Sequence, residues 1–86
     1  MRNDEIIKIF ERNANISKSL SLSDFAEINK FAKIDLQIDE INFMYSYYIF
    51  IDDLAKSEIT MDKLMEMKKN GWYLGKDKKK IILDLN

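Results

Sequence analysis

The spacing of apolar and polar positions predicts two amphipathic helices in the first 32 residues. The first covers about residues 3–14, with Asn3 as its N-cap, and has its isoleucines, Phe10 and Ala14 on one side. A polar connector, NANISKSLS, separates it from the second helix. That helix begins at Ser21, which forms a variant of the capping box with Asp24. Its apolar stripe consists of Phe25, Ile28, Phe31 and Ala32.

The segment IDEINFMYSYYIFIDDLAK is compatible with two structures. Its aromatic and β-branched residues favour a strand, whereas its length favours a helix. As a strand, it would place one set of residues on a single face: Ile41, Phe43, Tyr45, Tyr47, Ile49 and Ile51. As a helix, it aligns Asn42, Ser46 and Asp53 in one narrow polar strip, which is typical of a buried central helix. We therefore predict a helix and keep the strand as the alternative.

The last 27 residues predict a helix followed by a hairpin. Thr60 is the expected N-cap, and Gly71 is the expected C′ residue with a left-handed conformation. The inner face of this helix should contain Met61, Leu64, Met65 and Met67. Two β-prone runs, WYL and KIILDL, flank a GKDKK turn that contains Gly75.

Together these segments predict a mainly α fold with a small β-hairpin (α+β). Three to four packed helices would precede a C-terminal two-stranded hairpin, and Trp72 would be at least partly buried where the last helix meets that hairpin. A length of 86 residues suits a single compact domain over residues 1–86.

Composition argues against an enzyme. The chain has no histidine and no cysteine, so the usual general base, the commonest metal ligand and the thiolate nucleophile are missing. The acidic pairs Asp39–Glu40 and Asp52–Asp53 would point about 100° apart on a helix and would not converge. Two glycines cannot form a phosphate-binding loop. We predict no catalytic residue, no metal site and no cofactor.

Sequence features also argue against membrane insertion. The N-terminus, MRNDEIIKIFERN, has charges where a signal peptide requires an apolar run. The longest uncharged stretch, residues 41–51, is too short to span a bilayer. We therefore predict a cytoplasmic protein that does not bind membranes.

Charge is unevenly distributed along the chain, and its basic C-terminal part supports one of two predicted functions. Residues 1–53 contain six Lys/Arg and ten Asp/Glu, whereas residues 54–86 contain eight and five. In the basic part, a helix ending in KKNG, an aromatic strand and a lysine-rich turn resemble the last helix and wing of a winged helix-turn-helix domain. The resemblance implies a DNA-binding regulator whose wing lysines contact phosphates. It would assign to nucleic acid Lys69, Trp72, Tyr73, Lys76, Lys78, Lys79 and Lys80.

The central aromatic cluster favours a different function, which we prefer. Its five members are Phe43, Tyr45, Tyr47, Tyr48 and Phe50. A small chain has few elements to cover them all, and exposed tyrosines commonly anchor protein interfaces. We predict a small protein-binding module, a regulator or inhibitor that occupies the surface of another protein or of a second copy in a homodimer. The abundance of Ile, Lys and Asn is typical of an AT-rich bacterial or phage source.

Overall fold

The computed structural model describes residues 1–11 and 22–85, and in them it shows four short helices and a four-stranded antiparallel sheet. The elements in chain order are α1 (Asn3–Glu11), α2 (Leu22–Asn29), β1 (Asp35–Asp39), β2 (Met44–Phe50), α3 (Ile51–Lys56), α4 (Met61–Lys69), β3 (Tyr73–Leu74) and β4 (Lys80–Asp84). The fold is therefore α+β, and the predicted mainly α fold with a two-stranded hairpin is wrong.

The error concerns the sheet, whose strand order is β1-β2-β4-β3. The two C-terminal strands do form the expected antiparallel hairpin, with Leu74 opposite Ile81. However, Ile81 also lies opposite Ile49 of β2, so β4 is a central strand of a larger sheet.

The segment predicted as a central helix forms the second strand of another hairpin. Residues 44–50 are β2, which turns directly into α3 at Ile51. Extended backbone places Tyr47 opposite Leu83 and Ile49 opposite Ile81, so alternate side chains reach the same core. The strand alternative is therefore the observed structure for residues 44–50.

The helices pack against one face of this sheet. Trp72 is 1% exposed and lies in the core where α4 meets β3, as predicted. The buried apolar residues are Ile6, Phe10, Ile28, Ala32, Ile49, Ile51, Leu54, Ile59, Leu64, Met67, Trp72, Ile81 and Leu83. This core draws on all four helices and on the two central strands.

The first helix begins at Asn3, but the prediction of Asn3 as its N-cap is wrong. Asn3 is the first helical residue, and the Arg2 carbonyl accepts the first helical hydrogen bond from the N–H of Ile6. The predicted last turn of this helix, the polar connector and the Ser21 cap lie outside the described residues. Of the apolar stripe predicted for the second helix, Ile28 and Ala32 are buried, and Phe31 packs against the core.

Both predicted ends of α4 are confirmed. The Thr60 side-chain oxygen accepts a hydrogen bond from the backbone N–H of Lys63 at 3.2 Å, and Gly71 has φ of 115°. The predicted inner face is only half right, because Leu64 and Met67 are buried but Met61 and Met65 are exposed.

Lys63 occupies a buried position on α4 instead. Its Nζ lies 3.0 Å from a carboxylate oxygen of Glu27 and 3.5 Å from one of Glu66, which ties α2 to α4. Burial lowers the pKa of Lys63, but the two carboxylates outweigh this effect and the pKa is raised.

Candidate functional site

The β1–β2 hairpin carries apolar side chains that the helices leave exposed. Ile38 lies opposite Tyr45, and the backbone carbonyl of Tyr45 accepts a hydrogen bond from the N–H of Leu85 at 2.9 Å. These three residues form a row across β1, β2 and the end of β4, and they are 53%, 46% and 45% exposed. In the next row, Leu36 is half exposed, whereas Leu83 is buried. The core thus continues toward the hairpin end as an open apolar surface.

The turn between β1 and β2 carries two further exposed apolar side chains. The Asp39 carboxylate accepts hydrogen bonds from the N–H groups of Ile41 and Asn42 and from Asn42 Nδ2, at 3.0, 3.2 and 2.9 Å. The bonds from Asn42, followed by that from Ile41, hold the pKa of Asp39 below its usual value. This fixed turn presents Ile41 and Phe43, which are 88% and 78% exposed. We use the name hairpin patch for the exposed apolar side chains of the β1–β2 hairpin together with Leu85, which directly follows β4. Its members are Leu36, Ile38, Ile41, Phe43, Tyr45 and Leu85.

Phe43 occupies its position in the turn at a cost to folding. Its φ of 53° lies in the left-handed region, where Gly or Asn is favoured over a bulky side chain. Its ring is mostly exposed, so burial supplies little compensation. Phe43 is therefore a large aromatic residue at a strained and exposed site.

The free edge of β1 is the second feature of the hairpin. β1 is the outer strand next to β2, and no described strand pairs with its other side. In an antiparallel strand, the N–H and C=O of one residue point to the same side, and this side alternates along the strand. The Tyr45 carbonyl points toward β4. The neighbouring Met44 and Ser46 therefore direct their backbone N–H and C=O groups toward β1, where they lie opposite Asp39 and Gln37. Leu36 and Ile38 consequently direct their N–H and C=O groups outward.

The predicted aromatic cluster is divided between the two faces of the sheet. Tyr45 and Tyr47 share the helix-covered face, where Tyr47 meets Phe25 edge to face at 5.2 Å between ring centroids. Tyr48 and Phe50 lie on the opposite face with their rings 5.5 Å apart. Of the five residues in the predicted aromatic cluster, two, Phe43 and Tyr45, belong to the hairpin patch.

Trp72 does not share a surface with the lysines that were assigned to nucleic acid. The Trp72 ring is in the core, and no face of it is available for base stacking. Lys78 Nζ lies 3.8 Å from a Glu11 carboxylate oxygen. Lys80 Nζ lies 4.7 Å from the centre of the Tyr48 ring. Lys69, Lys76 and Lys79 are exposed.

The open face of the sheet carries a polar cluster around Asp84. One of its carboxylate oxygens accepts hydrogen bonds from Ser46 Oγ and from the Tyr73 hydroxyl, both at 2.8 Å. A shallow groove of about 560 Å³ lies over this cluster, between β1 and the lysine turn. Burial, followed by the hydrogen bond to Asp84, raises the pKa of Tyr73 to about 12.

Tyr73 should therefore make stability fall at high pH. The folded state holds the phenol proton more tightly than the unfolded state, so its contribution is complete below pH 10 and is lost between about pH 10 and 12. Tyr73→Phe should remove this part of the pH dependence. Urea unfolding of both proteins across pH 8–12 measures the difference, and parallel curves would contradict the prediction.

A second groove, between α1 and α4, contains the exposed Met61 and Met65. Its volume is about 720 Å³, and Ile9 also lines it. Its rim consists of Glu5, Lys8, Glu11 and Lys68. This mixed rim selects for no particular charge on a ligand.

Comparison of the chain with protein-family models, with curated proteins and with solved structures finds no match. Within residues 1–11 and 22–85, no helix is long and apolar enough to cross a membrane. In the same part of the chain, no three acidic side chains come together to hold a metal ion.

Sequence reasoning missed the β1 side chains of the hairpin patch. Ile34, Leu36 and Ile38 alternate with Asp35, Gln37 and Asp39, and such alternation is the signal of a half-buried strand. Reading that pattern would have placed Leu36 and Ile38 beside the aromatic residues of the next strand.

Proposed function

We propose that this protein is a small non-enzymatic protein-binding module, a regulator or inhibitor that acts through the β1–β2 hairpin. The observation that carries the proposal is the exposed row of Ile38, Tyr45 and Leu85, which continues the core beyond the helices. An apolar surface beside a free strand edge suits a protein partner, since main-chain bonds add affinity and apolar side chains add specificity. The strained, exposed Phe43 supports the same use.

Photo-crosslinking tests this proposal with a matched control. A benzophenone analogue of phenylalanine is placed at Phe43 or at Phe50, which is also exposed but lies on the opposite face of the sheet. In the full-length protein, both pure and in producing cells, we expect protein adducts from position 43 and few from position 50. Ile38→Ser should weaken the adducts from position 43, because it removes the β1 member of the apolar row. Equal adducts from both positions, or none from position 43, would contradict the proposal.

The alternative function, a winged-helix-like DNA-binding regulator, has weaker support. The exposed Lys69, Lys76 and Lys79 favour it, but Lys78 and Lys80 have partners within the protein. Retention of random duplex DNA at physiological salt, with affinity falling steeply as salt rises, would favour this alternative.

A further inference from the structure

The free edge of β1 carries a charge pattern that limits how two copies could pair. Its outward-facing backbone groups belong to Leu36 and Ile38, so a second antiparallel β1 must bond to these residues. Three symmetric registers satisfy that requirement, and they are centred on residue 36, 37 or 38. Each register places different side chains opposite one another.

The register centred on Gln37 is unfavourable. It would place Asp35 of each copy opposite Asp39 of the other, which gives two like-charged pairs. The Asp39 carboxylate is also fixed by its three hydrogen bonds in the turn and could not easily move away. The register centred on Ile38 would place Leu36 opposite Glu40, which opposes an apolar and a charged side chain.

The register centred on Leu36 is complementary throughout. It places Leu36 opposite itself, Ile34 opposite Ile38, and Lys33 opposite Asp39. Lys33 Nζ lies 3.3 Å from the Asp35 carboxylate of its own chain on the open face, and in the dimer each Lys33 would lie between this Asp35 and Asp39 of the other copy. The apolar pairs would lie on the helix-covered face.

We propose that the partner of the hairpin is a second copy of this chain, joined through antiparallel β1 edges with Leu36 on the two-fold axis. This inference rests on the proposed function and names its partner. The joined edges would form one eight-stranded sheet with about four new main-chain hydrogen bonds, two between the Leu36 residues and two from Ile38 N–H to the Ile34 carbonyl. The Ile38–Tyr45–Leu85 rows of both copies would lie on the same face of that sheet. Dimerisation would also cover the edge that otherwise invites unspecific pairing.

Cysteine trapping identifies the register, because the chain has no cysteine of its own. Single variants Leu36→Cys, Gln37→Cys and Ile38→Cys of the full chain are oxidised under identical mild conditions. In the proposed register, the two copies of residue 36 lie about 5.5 Å apart between Cα atoms, within reach of a disulfide. The two copies of residue 37 would be about 8 Å apart, and those of residue 38 about 14 Å, beyond that reach. We expect a disulfide dimer from Leu36→Cys at least tenfold faster than from the other two.

The outcomes separate this inference from the proposed function. Fastest trapping at position 37 or 38, or equal trapping at all three, overturns the inference. No trapping, together with a position 43 adduct to a different protein, overturns the inference but leaves the proposed function standing. If there is neither trapping nor an adduct from position 43, both the inference and the proposed function are overturned. Because Leu36 is half exposed, its cysteine variant should fold, and its melting temperature checks this.

A charge reversal provides a second test that does not depend on disulfide geometry. Lys33→Glu places like charges at both Lys33–Asp39 contacts, and we expect the dimer dissociation constant to rise about tenfold at low salt. The control Lys8→Glu makes the same change of charge at an exposed position on α1, outside the groove that Asp39 lines, and should leave the constant unchanged. Sedimentation equilibrium measures both variants, and equal effects would overturn the inference.

Discussion

Removal of residues 80–86 is expected to unfold the protein completely. The deleted segment contains β4, which pairs with β2 on one side and with β3 on the other. Its loss would separate β3 from the rest of the sheet and remove the buried Ile81 and Leu83 from the core. Circular dichroism during a thermal scan measures this effect, and we expect the truncated chain to show no cooperative transition. A truncated chain that still unfolds cooperatively would show that β4 is dispensable.

Two neighbouring substitutions serve as a matched control for this prediction. Ile81 is fully buried in the core, whereas Ile82 lies on the opposite face of the same strand and is only partly buried. Ile81→Ala should therefore reduce the free energy of unfolding by about 3 kcal/mol, and Ile82→Ala by about 1 kcal/mol. Equal losses would mean that the two faces of β4 are not distinguished as the structure shows.

Trp72→Ala is expected to have the largest effect of any single substitution. The ring is fully enclosed where α4 ends, and the backbone N–H of Trp72 donates a hydrogen bond to the Met67 carbonyl at 3.1 Å. Truncation would leave a large cavity between α4 and the sheet and should reduce the free energy of unfolding by roughly 3–5 kcal/mol. Denaturant unfolding followed by circular dichroism measures the loss, since the variant lacks tryptophan fluorescence.

Trp72→Phe is the conservative comparison. The Trp72 Nε1–H has no hydrogen-bond acceptor among the described residues, and phenylalanine removes this unpartnered donor while it keeps an aromatic ring in the core. Its loss of stability should be clearly smaller than that of Trp72→Ala. An unchanged melting temperature for the alanine variant would place the ring at the surface and reopen its use in binding.

Features that depend on a few adjacent residues were predictable from the sequence. The Thr60 cap and the left-handed Gly71 are set by backbone geometry within one helical turn, and both are confirmed. The burial of Trp72 between this helix and the hairpin is likewise confirmed. For the cap and the glycine, the residue type itself determines the local structure.

The β1–β2 hairpin could not be predicted in the same way, because its usual signals are weak. No glycine or proline marks its turn, which instead depends on Asp39 and on a left-handed Phe43. The polar strip that suggested a helix has other causes. Asn42 bonds to Asp39 within the turn, and Ser46 bonds to Asp84 across the sheet. Pairing with a strand nearly 40 residues away thus decided the structure of this segment.

The candidate site depends on an even less local property, the place where the helices stop covering the sheet. Tyr45 and Tyr47 have the same residue type and point to the same face, yet Tyr47 meets Phe25 and packs against the core. Tyr45 lies two residues earlier in β2, nearer the turn, and is nearly half exposed. No local pattern distinguishes these two tyrosines, since the difference comes from the packing of α2.

The position of β4 in the sheet also affects the order in which the protein can fold during synthesis. The β1–β2 hairpin closes a turn of four residues and can form within microseconds of its synthesis. In contrast, the pairing of β2 with β4 joins residues 50 and 80, so it must wait for almost the whole chain and for a costly loop closure. The nascent hairpin therefore exposes both edges and its aromatic side chains to chaperones, proteases and other nascent chains until β4 is inserted.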